Sequence, residues 1–119
     1  MSSTKTRVAL ASCIAMGVAS MALMLPMGAE AADAAAAQAL ARQNNCFRCH
    51  AVDKKKDAPA WKEVAAKQKS NKNAEADLMK HLTTGPKVKF EDGHQEDHPV
   101  IKAKSPDDTK NLVDWILSL

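Results

Sequence analysis

Asn45-Cys46-Phe47-Arg48-Cys49-His50 separates an alanine-rich run from a lysine-rich one, and its reading decides the rest of the chain. A Cys-x-x-Cys pair serves as a redox dithiol, as half of a zinc site or, with His directly after it, as a haem attachment point. Zinc needs two further ligands, and without a second cysteine pair only His81, His94 and His98 are at hand to supply them. A redox dithiol sits at a helix N-terminus after a strand, whereas here a helical stretch comes first. The haem reading uses every residue. Cys46 and Cys49 form thioethers to the two vinyl groups, and the adjoining His50 takes an axial position on the iron. One such motif means one covalent haem c.

N-terminal to this stretch, residues 8–25 carry no charge, Lys5 and Arg7 precede them, and Ala29-Glu30-Ala31 follows. A positive start, an apolar run and a small-x-small site make a secretory signal peptide over residues 1–31, with residues 32–119 as the working domain. Leu10-Ala11-Ser12-Cys13 resembles a lipoprotein box, but the apolar stretch before it is too short. Residues 8–25 approach the length of a membrane span, yet they are rich in Ala, Ser and Gly and end near the cleavage site. Soluble export to the periplasm follows, with no stable membrane insertion after cleavage. Losing Lys5, Arg7 and Glu30 takes the formal charge from +3 to +2, too diluted by acids for a nucleic-acid partner. A chain this short buries little surface and needs help to fill its core.

C-terminal to the motif, the pattern is helical. Residues 34–44 suit a first helix, with Asp33 as N-cap. Trp61, Val64 and Ala65 share a face of a short helix ending near Gln68, and 74–83 forms another, with Leu78 and Leu82 on one stripe and Gly85-Pro86 as the stop. Lys54-Lys55-Lys56 reads equally as a solvated turn or a docking patch. Residues 85–104 have no sustained period and read as an ordered loop, although Lys87-Val88-Lys89-Phe90 permits a short strand. Ser105-Pro106-Asp107-Asp108 opens the last helix as a capping box with Pro at N1, and Leu112, Trp115, Ile116 and Leu119 share its apolar face. The fold is all-α, about four short helices around a haem. Leu40, Trp61, Leu78, Leu82, Phe90, Leu112, Trp115 and Ile116 are the expected core or haem lining. Trp115 is expected against both the first helix and the haem.

The Cys46-Phe47-Arg48-Cys49-His50 motif just after a first helix, the Ala58-Pro59-Ala60-Trp61 segment and the ending from Ser105 to Leu119 resemble the small bacterial class I cytochromes c over about residues 34–119. The resemblance implies a monohaem electron carrier with crossed N- and C-terminal helices and one haem edge at the surface. It also implies that the carbonyl of Pro59 accepts the Nδ1 hydrogen of His50.

The chain departs from that family at the other axial ligand. Relatives carry Met-Pro about seven residues before the Ser or Thr that caps the last helix, and here His98-Pro99 stands there. Met79, the one methionine beyond the signal segment, falls within a helix next to Leu78 and reads as core filler. His98 is the expected sixth ligand, with His94, Met79 and an open position as alternatives, and His81 is expected to face outward.

Two histidine ligands leave no position for substrate, and no carboxylate pair or Ser-His arrangement suggests an enzyme. The expectation is a monomeric one-electron shuttle, at lower potential than His/Met relatives. Its partners would be redox proteins such as an inner-membrane quinone-linked cytochrome or an outer-membrane multihaem conduit. A haem-based sensor with a displaceable distal ligand and an accessory subunit of a larger oxidoreductase are the rival readings.

Overall fold

The structure, a computed structural model, describes residues 31–119. The expected export signal, Cys13 included, lies outside the described residues apart from Ala31. Among the described residues four α-helices make up the frame: α1 (Ala34–Gln43), α2 (Trp61–Gln68), α3 (Ala74–Thr84) and α4 (Pro106–Leu117). Asp33 caps α1 by accepting from the Ala36 amide, and Ser105 and Asp108 complete the reciprocal box at the start of α4.

Helices α1 and α4 pack together, and small side chains let them approach closely. Ala37 and Ala41 lie one turn apart on α1 with no exposed surface, and Val113 of α4 is equally sealed. Around them Leu40, Leu82, Ile101, Leu112, Trp115 and Ile116 close the core. Two asparagine side chains fasten this frame by pairing with backbone. Asn111 accepts from the Asp33 amide at 2.8 Å and donates to the Asp33 carbonyl at 2.9 Å. Asn44 does the same with Lys102, at 2.8 and 3.1 Å. Each pairing bridges residues far apart in sequence, so the two ends of the domain are held by polar as well as apolar contacts.

Between α3 and α4 the expected loop contains a two-stranded antiparallel hairpin. β1 (Lys87–Lys89) pairs with β2 (Gln95–Asp97), Val88 facing Glu96 in register. Alternation in 87–90 permitted the first strand. The second was hidden because Gln95, Glu96 and Asp97 are all exposed and have weak strand preference.

Trp115 departs from expectation in one respect. It is buried, but its ring meets Trp61 edge-on at 5.3 Å, and it is Leu112 and Ile116 that reach the haem-side cavity. Trp61 stands between Trp115 and that cavity.

Candidate haem site

The attachment motif is shaped by its own backbone. Asn45 adopts a left-handed conformation with φ of 56°, which asparagine tolerates better than most residues, and this ends α1 and starts a 3-10 turn at Cys46–Arg48. The amides of Cys49 and His50 both donate to the Cys46 carbonyl, at 3.2 and 3.0 Å. Segment 58–62 then runs alongside 49–52: Ala58 donates to Cys49, Trp61 to Ala51 and Lys62 to Val52. That pairing brings Pro59 to the imidazole. Its carbonyl lies 2.8 Å from His50 Nδ1 and accepts its hydrogen. The Trp61 ring stacks beside the same imidazole at 5.5 Å.

These groups open onto a cavity of about 700 Å³. Its lining includes Cys46, Cys49, His50, Pro59, Trp61, Leu78, Phe90 and His98, so all eight sequence candidates converge on one space. Across the cavity from the motif stands His98, on the segment leaving β2. Its ring centre is 6.4 Å from that of His50, and its Nδ1 lies 2.9 Å from the Pro99 carbonyl. The His98 amide donates to Pro86 and the Ile101 amide to Leu82, both at 2.9 Å, which fixes this segment against the end of α3.

Burial pushes the His50 imidazole below its ordinary range, with the Pro59 carbonyl acting in the opposite direction. Burial likewise pushes the Cys46 thiol up. A redox-active dithiol requires a lowered thiol, so the electrostatics run against that reading. Among the described residues no group of three or more His, Cys, Asp or Glu side chains converges as a metal cluster, so the zinc reading finds no ligand set.

The other sixth-ligand candidates lie elsewhere. Met79 is half-buried against the helical core and is not part of the cavity lining. His94 is exposed on the hairpin turn, stacked on Phe90 with ring centres 4.2 Å apart, and its Nδ1 meets the Asp92 carboxylate. That carboxylate raises the His94 pKa above the ordinary 6.5. The pairing therefore stabilises the fold while His94 is protonated and Asp92 ionised; it fades as pH rises through the raised histidine value, and again in acid once the Asp92 carboxyl, itself held below its ordinary range, takes a proton. NMR titration of the His94 ring should give a midpoint above 6.5, falling on Asp92→Asn.

His81 corrects the sequence expectation. It does not face outward: half-buried, it lines the cavity, its ring edge-on to His98 with centres 4.5 Å apart. The signal was present in the spacing, since His81 is three residues after Leu78 and so shares its face of α3. Lys54-Lys55-Lys56 turns out to be partly a fastening. Lys55 pairs with Glu91 of the hairpin turn, and Lys56 donates to the Phe47 carbonyl at 2.5 Å.

The sequence profile of cytochrome c matches residues 34–119. Cytochrome c-551 of Pseudomonas aeruginosa is 35% identical over 95 residues, covering 80% of this chain and 85% of that protein. Cytochrome c-552 of Nitrosomonas europaea is 36% identical over 80 residues, covering 67% of this chain and 75% of that protein. The crystal structure of the class 1 cytochrome MtoD from Sideroxydans lithotrophicus ES-1 is similar at a TM-score of 0.71 and 57% identity, over 74% of this chain and 97% of that one. Helical frame, cavity and relatives agree: the chain belongs to the class I monohaem cytochrome c family, electron-transfer proteins with one covalently bound haem c and no enzymatic activity.

Proposed function

We propose that this chain is a periplasmic one-electron carrier whose haem is bound through Cys46 and Cys49 and ligated by His50 and His98. The observation that carries the ligand pair is the 6.4 Å between the two imidazole centres. Two metal–nitrogen bonds of about 2 Å, plus about 1 Å from each nitrogen to its ring centre, give nearly that separation. The hydrogen bonding supports the same pair. In both residues Nδ1 donates to a proline carbonyl, Pro59 or Pro99, which leaves Nε2 as the free donor atom. Trp61, Leu78 and Phe90 supply apolar wall to the haem, which contributes a one-electron couple when bound.

Two protein ligands close the iron to substrate, and replacing a thioether by imidazole favours the ferric state and lowers the potential. The export signal read in the sequence supports a periplasmic carrier, and among the described residues no helix is long and apolar enough to cross a membrane. Donor and acceptor are other redox proteins, docking weakly at the haem edge with the monomer. An inner-membrane quinone-linked cytochrome and an outer-membrane multihaem conduit suit the two ends of such a shuttle.

The test is spectroscopic. Oxidised wild-type protein should be low-spin without the sulfur-to-iron absorption of His/Met haem. His98→Met should introduce that band and raise the midpoint potential. The band in wild-type protein would return the sixth position to Met79 and sink the assignment.

A further inference from the structure

Three histidines line the cavity, and the reading above employs two. We propose that His81 is a reserve axial ligand, which takes the iron on the distal side whenever His98 lets go. This rests on the bis-histidine reading and adds a second occupant to the same coordination position.

Four observations carry it. His81 lines the same cavity as His98, with its ring already beside the distal one. The distance to be covered is small: moving χ1 by one staggered well carries an imidazole centre roughly 4 Å, against a separation of 4.5 Å. The two histidines also differ in how they are mounted. His81 sits within α3, beside the buried Leu82, whereas His98 sits on a connecting segment next to exposed Pro99 and Val100. His81 therefore keeps its place beside the cavity if the segment bearing His98 is displaced. Lastly, the rings of His50 and His98 are each held by a backbone carbonyl, and among the described residues the His81 ring has no such tether and is able to turn.

The exchange balances simply. The bond from iron to His98 Nε2 breaks, and a lone pair of the neutral His81 imidazole forms its replacement. No electron or proton is gained or lost, and the iron would return to six ligands once His81 is bound. The consequence is that loss of His98 does not expose the metal to small molecules, which keeps the protein an electron carrier and prevents it from becoming a ligand binder.

The experiment uses the holoprotein. His98→Ala should remain low-spin in the ferric state without a sulfur band, and azide should bind it at least tenfold more weakly than it binds the double variant His81→Ala/His98→Ala, which should be high-spin. A His98→Ala protein as high-spin and as open to azide as the double variant overturns the proposal. Should His98→Ala fail to take up haem, carbon monoxide binding to the ferrous wild type decides. His81→Phe, similar in bulk but without nitrogen, should accelerate it several-fold, and an unchanged rate overturns the proposal. Failure of the underlying reading looks different. It appears as a sulfur band in wild-type protein, or as a high-spin His81→Ala single variant beside an unaltered His98→Ala one, which would make His81 the resident ligand.

Discussion

Replacing Trp115 with alanine should destabilise the ferric holoprotein by about 3–5 kcal/mol, the usual range when a large buried aromatic is truncated. The indole is 6% exposed and packs edge-on against Trp61 at 5.3 Å, and Trp61 in turn stacks beside His50 at 5.5 Å. Removing it leaves a void directly behind the wall of the haem cavity. A small domain has only about 5–15 kcal/mol of stability in all, so the loss is a large fraction of the total. Denaturant titration followed by the haem band and by helicity measures it, with Trp115→Phe expected to recover part of the loss. A loss below about 0.5 kcal/mol, the scale of surface substitutions, would mean that Trp115 is not a core residue.

Gly85→Ala should have the second-largest effect, and it acts through His98. Gly85 closes α3 in a left-handed conformation with φ of 59°, where a side chain costs about 1–2 kcal/mol. An added Cβ would also stand 2.5 Å from the His98 carbonyl oxygen and 3.0 Å from Val100 Cγ2. Since the first of these is backbone, relief requires the His98 peptide itself to retreat. The expected outcome is a loss of more than about 2 kcal/mol in stability. The paramagnetically shifted ring signals of the proposed axial pair, His50 and His98, should move as well. Thr83→Ala, an exposed neighbour on α3, should leave both unaltered. Stability and ring signals unchanged in Gly85→Ala would show that His98 is positioned by something else.

Much of this architecture was legible in the residues because its signals are local. Asp33, the Ser105-Pro106-Asp107-Asp108 start and Gly85 mark helix ends by hydrogen bonds and dihedral angles that need no distant partner. Among the eight candidate cavity residues, Cys46, Cys49 and His50 follow from the motif, Trp61, Leu78 and Phe90 from apolar character, and Pro59 and His98 from the family resemblance, and the fold gathers them around one space. What escaped depends on tertiary placement. β2 is exposed and polar, held by its pairing with β1 and not by burial, so no pattern announced it. The inward turn of His81 depends on where α3 lies against the cavity, although its spacing from Leu78 hinted at it. The complete burial of Ala37, Ala41 and Val113 carries no sequence signal, because small side chains look inert until two helices cross on them.

The fastening of the distal segment has a kinetic consequence. Residues 86–101 form a loop whose two ends are tied to α3, by His98 onto Pro86 and by Ile101 onto Leu82, and Asn44 secures Lys102 just beyond. With both ends anchored, little chain entropy is released when the middle opens, because the loop is already closed on the frame. Opening there is a sub-global event, distinct from cooperative unfolding of the α1–α4 pair, and it proceeds on its own free-energy scale. Amide hydrogens of β2 should then exchange far faster than those of Leu112 and Val113. His98 lies at a tied end of that loop, so in the proposed ligation its hold on the iron would outlast such openings.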